Sequence, residues 1–348
     1  MAMMAAAADV EAPPPPTTPS NEPLPLVLAA EVAPDDNYYG AQCAASVRAF
    51  AEHLQTAAPP HTVTVLTRTA AQPPVAAAAA AVRDVWLRDF APVQFTGATV
   101  VQFRYQPSYL GRREARRIQE PFARWVQQAL GQAMVVESPL VLDGGNVVLE
   151  PGAGSPRCVV TERVLRDNPG QTEASVGAAL VQLGAAAVCV IPEEPGDSTG
   201  HADGMVAWLA PGVLAVNQLD QAGSGKRLHQ TVRERLRAAF GDSVLLVDLP
   251  YHPTNQSWRG FADASGDYAN IVVLQPGGTA LLPSFGADAQ DAAAAEDAAA
   301  AQVVAAHAAG AVIPVDCSRV ARMGGAVRCL TWSVYGTVAD RLRAHLGL

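Results

Sequence analysis

Lysine is almost absent from this chain of 348 residues: Lys226 is the only one, and every other basic residue is arginine or histidine. That leaves almost no room for chemistry built on lysine, whether a Schiff base or a side chain cradling phosphates. Gly223-Ser224-Gly225-Lys226 is no exception, because Asp220 stands where a phosphate loop needs its first glycine and Arg227 where it needs Ser or Thr. Cysteine is also scarce. Cys43, Cys158, Cys189, Cys317 and Cys329 are scattered, odd in number and without a Cys-x-x-Cys pair, which argues against a disulfide framework and a structural zinc site. No apolar run is long and pure enough to span a bilayer. Lys and Arg are missing before Arg48, which argues against secretory and organellar targeting signals and makes the cytoplasm the expected location. The net charge of −9 argues against a nucleic-acid partner and would suit a cationic ligand.

What is present is ample apolar residue, 49% of the chain, enough for a real core. Residues 1–22 are Ala-rich and then Pro-rich (Pro13 to Pro16) and read as a disordered tail. From there to residue 348 no interdomain linker stands out, so 23–348 is expected to form one domain. Strand-like runs fall at 62–67, 82–86, 99–104, 134–137, 146–149, 186–191, 204–209, 213–216, 243–248, 269–274, 279–282 and 311–315. Helix-like stretches fall at 41–54, 112–130, 173–183, 226–240 and 288–309, with Pro121 expected to break the second in two. The Ala-rich run 291–309 is punctuated by acids and flanked by strand signals, so it reads as a packed helix rather than a linker. The rhythm of two or three strands per helix, about five times over, excludes a purely alternating doubly wound sheet.

Four segments carry chemistry: Trp86-Leu87-Arg88-Asp89, Asp143-Gly144-Gly145-Asn146, Gly200-His201-Ala202-Asp203-Gly204 and Gly324-Gly325-Ala326-Val327-Arg328-Cys329. Together they supply a thiol, an imidazole and several carboxylates, the set needed to attack a guanidinium carbon. A guanidinium is planar, charged and resonance-stabilised, and a carboxylate pairs with two of its N–H groups at once. A thiolate is a soft nucleophile, and a histidine can protonate the leaving amine and then deprotonate water. Cys329 is the candidate nucleophile, because two glycines upstream permit a tight turn and close ligand approach; the bland reading is an inert packing cysteine. His201 is the candidate acid and base. If 200–209 begins a strand, His201 and Asp203 share a face. Asp89 and Asp203 are the candidate guanidinium clamps, against the alternative of solvated loop acids. Trp86 is a candidate pocket wall through cation–π contact, and Asp143 a third acid or a turn aspartate. A metal site made from His201, Asp203 and Cys329 is a further alternative.

The ordered set resembles the agmatine deiminase and Porphyromonas-type peptidylarginine deiminase family. That family shows Trp-x-Arg-Asp, an acid before Gly-Gly, Gly-His-x-Asp and a glycine-led cysteine, matched in order from Trp86 to Cys329. Tyr268-Ala269-Asn270 resembles its Tyr-x-Asn segment. The resemblance implies the pentein fold, a five-bladed α/β propeller of pseudo-repeated ββαβ-like units with the active site in the central channel. It also implies Cys329 as nucleophile, His201 as acid and base, Asp89 and Asp203 as guanidinium ligands, and Trp86, Asp143 and Asn270 as pocket residues. No cofactor or metal is expected, and the partner is a small cationic guanidino substrate. Hydrolytic deimination to the ureido product is the expected reaction; an amidinotransferase or a non-catalytic binding module are its rivals, and homo-oligomerisation stays open. The chain departs from agmatine deiminases at Asp143, where they carry Glu, and at Arg328, where they carry His. It reads Phe103-Arg104-Tyr105-Gln106-Pro107 in place of their Asn-x-Trp-Gly-Gly, and it lacks the paired arginines of a secreted peptidylarginine deiminase.

Overall fold

Five times along the chain a strand is followed by a helix and then by a second strand that pairs parallel to the first. A parallel pair needs such a crossover, because a tight turn can only reverse the chain. In this computed structural model, residues 24–31, 40–68, 70–152, 154–219, 223–275, 277–286 and 291–348 are described; the expected tail at 1–22 lies outside them. The pairs are Leu26–Ala30 with Val63–Leu66 across the helix Gly40–Ala57, and Val100–Arg104 with Val135–Val141 across Arg112–Leu130. Arg157–Thr161 then pairs with Ala187–Ile191 across Glu173–Gln182, and Val213–Asn217 with Leu245–Leu249 across Gly223–Phe240. Last comes Ala280–Ser284 with Val312–Asp316 across Asp291–His307.

In four of these units the first strand also takes an antiparallel partner on its other side: Thr331–Val334, Val148–Leu149, Val206–Ala210 and Val272–Val273. In the remaining unit a single bridge between Val93 and Val101 stands in its place. The first strand is thus the central one of its unit. Leu26–Ala30 is buried throughout, and such a strand reads as a short continuous apolar run rather than an alternation.

The helix Arg112–Leu130 runs through Pro121 without breaking, contrary to the sequence expectation. The carbonyl that loses its donor belongs to Arg117, which is exposed to solvent. Ile118, Phe122, Trp125 and Val126 are buried on both sides of the proline and hold the helix to the core. Phe122 alone meets Phe90 and Trp332, each with ring centroids 5.6 Å away, and full burial of one such side chain contributes roughly 1.5–3 kcal/mol.

The run 82–86 forms no strand. Val82 and Val85 are buried, but Asp84 accepts from the Val85 N–H at 2.6 Å and the chain turns into the short helix Leu87–Phe90. Ala202–Gly204 likewise forms a 3₁₀ turn with His201 as its N-cap, and the strand starts only at Val206. The expected sharing of one strand face by His201 and Asp203 is therefore replaced by a turn. The Ala-rich run is helical over Asp291–His307, while the expected start at 288 lies outside the described residues.

One regularity positions the site. Asp89, Asp143, His201 with Asp203, Asn270 and Cys329 each lie in the connector just before a unit's antiparallel partner segment. Equivalent places in five units therefore supply the chemistry.

Candidate active site

These connectors converge on a cavity of about 440 Å³ lined by Trp86, Asp89, His201, Asp203, Asn270 and Cys329, among others. Cys329 sits at the end of its glycine-led loop, where Gly324 adopts φ +103°, a left-handed conformation that favours glycine. A Cβ on Gly325 would lie 2.5 Å from the Trp86 ring and 2.9 Å from the Cys329 Cβ, so the glycine lets the indole pack beside the thiol. Asn270 fixes that loop. Its Oδ1 accepts from the backbone N–H groups of Arg328 (2.9 Å) and Cys329 (3.2 Å), while its Nδ2 donates to Cys329 Sγ at 3.1 Å. The adjoining Tyr268 is held by a hydroxyl donating to Asp297 at 2.8 Å, which ties the Ala-rich helix to this end of the site.

His201 is buried between two carboxylates, with Nε2 3.2 Å from Asp143 Oδ2 and Nδ1 3.6 Å from Asp89 Oδ1. Its turn is pinned from both sides. Asp197 accepts from the Gly200 N–H (2.8 Å) and His201 N–H (3.3 Å), and Asn146 Oδ1 accepts from Ala202 (3.2 Å) and Thr161 (2.9 Å). Asp143 does not line the cavity; it reaches the site through His201. A Cβ on Gly145 would run into the His201 ring and lie 2.8 Å from Asp89 Oδ1. Gly145→Ala is therefore expected to cost about 1–3 kcal/mol through overpacking. Thermal unfolding checks this, and an unchanged midpoint would show that ring and carboxylate can step aside.

Electrostatics follows from burying so many acids together. Burial weighs against a charged imidazole, but Asp89, Asp143 and Asp203 outweigh it and lift His201 to about 10. Burial lifts Asp89 to about 8, opposed by His201 and reinforced by Asp143, Asp203 and Asp84. Burial, then Asp203 and Asp89, push the Cys329 thiol well above its ordinary 9.0, while Asn270 and the Ala326 backbone pull the other way. At neutral pH the free site thus favours an imidazolium beside a thiol, and an arriving cation is what would favour the thiolate. Among the described residues, no group of three or more His, Cys, Asp and Glu side chains is placed to hold a metal ion.

Several participants carried no sequence signal. Glu194 lines the cavity, bonded to the Tyr251 hydroxyl at 2.7 Å, and burial raises it to about 7. Tyr105 and Tyr109 also line it. Arg328, noted in the sequence only as a departure, lies 3.3 Å from Asp203 Oδ2 through Nε.

Residues 31–334 match the family model for Porphyromonas-type peptidyl-arginine deiminase. The chain belongs to that family. As a peptidyl-arginine deiminase family member it falls among hydrolases of C–N bonds. Comparison with curated proteins finds no match. Among solved structures it is similar to C. jejuni agmatine deiminase, with TM-score 0.66 and 15% identity over 92% of this chain and 95% of that one. It is similar also to the agmatine deiminase of Enterococcus faecalis, with TM-score 0.66 and 16% identity over 90% of this chain and 94% of that one. Likeness at that identity shows a shared fold, the mixed α/β fold of the pentein structures. No described helix is long and apolar enough to cross a membrane.

Proposed function

We propose that this protein hydrolyses a guanidino compound to its ureido product and ammonia through a covalent intermediate on Cys329. The observation that carries the reading is the convergence of Cys329, His201, Asp89, Asp203 and Asn270 on one cavity. Asp89 Oδ1 is buried there without a hydrogen-bond partner, which fits an acceptor meant for a ligand's N–H groups. Asp89 and Asp203 hold the guanidinium plane beside Trp86. Its charge favours ionisation of the Cys329 thiol, which loses its proton to solvent and adds as the thiolate to the central carbon. His201 delivers its proton to the departing nitrogen, ammonia leaves, and an S-linked amidino group stays on Cys329. Water then attacks that carbon, His201 takes the water's proton, and the C–S bond breaks to release the ureido product. Residues 23–348 act as one domain, with the five units arranged as a five-bladed propeller around this site, in the cytoplasm.

Charge around the cavity narrows the substrate. Its described lining carries seven acidic side chains and neither Lys nor Arg. A tail ending in an amine suits that surface, whereas an α-carboxylate meets mostly like charge, the one cation of the described lining being His201, already flanked by Asp89 and Asp143. We therefore expect kcat/KM for agmatine to exceed that for free arginine by on the order of 100-fold. An ammonia-release assay over agmatine, arginine, a blocked peptidyl-arginine and methylated arginines tests both statements. Preference for free arginine would overturn the charge argument, and silence across the panel would overturn the deiminase reading.

A further inference from the structure

Arg328 reaches the site from behind. It lines a second cavity of about 120 Å³ that shares no lining residue with the first, whereas Asp203 lines the first. Their contact joins the two, with Arg328 Nε 3.3 Å from Asp203 Oδ2. Three bonds hold Arg328 there: its Nη2 donates to the Val147 carbonyl at 2.7 Å, and its backbone N–H donates to both Asn270 Oδ1 (2.9 Å) and the Asn270 carbonyl (3.3 Å). Asp203 is 2% exposed, so water does little to support its charge. This is the one ion pair that Asp203 makes among the described residues.

We propose that Arg328 is the positioning residue that keeps Asp203 an ionised, correctly aimed arm for a guanidinium. This rests on the deiminase reading for its catalytic meaning, though not for its physics. Burial raises the Asp203 carboxyl above its ordinary value, and Asp197, Asp89, Asp267 and a Cys329 thiolate push the same way; Arg328 first, then His201 and Arg88, pull it back toward the carboxylate. Arg88 is the weaker support. Its Nη2 is engaged by Ser333 at 3.2 Å, and burial with the neighbouring Arg328 charge lowers its own guanidinium to about 9. His201 is shared between Asp89 and Asp143. Arg328 is therefore the cation committed to Asp203. Because it approaches from the second cavity, it neutralises the arm without adding positive charge to the lining that receives the substrate.

The sign of the effect is fixed. Arg328 lowers the Asp203 pKa, so removing it raises that pKa, and the ionised arm is then lost at higher pH than before. The test is a carboxyl ¹³C NMR titration of Asp203 in the full chain, assigned with Asp203→Asn, for wild type, Arg328→Lys and Arg328→Gln. Wild type should show a carboxylate at pH 7, which needs no variant to fold. Arg328→Gln should titrate about one to three pH units higher, and Arg328→Lys, which keeps the charge, close to wild type. In parallel, the acid limb of kcat/KM should move up by the same amount in Arg328→Gln, through KM more than kcat. A protonated Asp203 in wild type at pH 7, an unmoved titration in Arg328→Gln, or an equal shift in the lysine variant would overturn the proposal. Ammonia release by wild type tests the deiminase reading separately, since the NMR titration does not depend on turnover.

Discussion

Cys329→Ala is expected to lower ammonia release on the order of 10⁴-fold or more while leaving the protein folded. The carbon of a guanidinium is a poor electrophile, and no other described residue lining the cavity offers a thiol: the remaining cysteines, Cys43, Cys158, Cys189 and Cys317, are absent from its walls. Burial lifts the Cys158 and Cys317 thiols as it lifts that of Cys329, but neither lines this cavity, where a bound cation could favour the thiolate. Structural consequences should be small. The substitution removes one sulfur that packs near Gly325 and accepts from Asn270 Nδ2 and the Ala326 backbone, while Asn270 Oδ1 keeps its hold on the Arg328 and Cys329 backbone. Circular dichroism and thermal unfolding beside the ammonia assay separate the two effects. Full activity in the folded variant would remove the nucleophile assignment, and with it the covalent intermediate.

The site was legible in the sequence because its residues sit in short, glycine-punctuated connectors, where local composition and chemistry coincide. Asp143-Gly144-Gly145-Asn146 is the clearest case. Gly145 is required by the His201 ring and Asp89, and Asn146 pins the turn that carries His201, although neither job could be assigned from the motif alone. Some short strands are harder to read: Leu26–Ala30, Arg157–Thr161 and Thr331–Val334, two central strands and one partner, are too short and too buried to show an alternation. The helices Pro73–Ala81 and Gly336–Leu346 are also hard to read, the first because its run of alanines has almost no polar face. At 82–86 the reverse holds, since two buried valines imitate a strand that has no ladder partner. Pro121 shows propensity yielding to packing. The Glu194–Tyr251 pair and the Arg328–Asp203 contact join residues far apart in sequence, so only the fold brings them into view.

His201→Asn should lower turnover on the order of 10²–10⁴-fold and change how both rate and stability depend on pH. The imidazole has to be charged when ammonia leaves and neutral when water attacks. Asp89 and Asp143 make the first condition easy, holding His201 near 10 and so protonated throughout the neutral range. The proton it gives to the leaving nitrogen then provides the neutral base for the second step. Asparagine fills similar space but has no proton to exchange at these pH values. Wild-type kcat/KM should therefore fall as pH rises through about 10, and that limb should vanish in the variant, whose residual rate keeps rising as the thiol ionises. Linkage gives a second, independent readout. A folded-state pKa raised from 6.5 to about 10 favours the folded protein fully below pH 6.5, and that contribution is lost as pH climbs through 10. The variant lacks it, so the gap in thermal midpoint between wild type and His201→Asn should be widest on the acid side and close toward pH 10. A variant within tenfold of wild type would remove His201 from proton transfer, and a gap independent of pH would show that its carboxylate neighbours do not hold it charged.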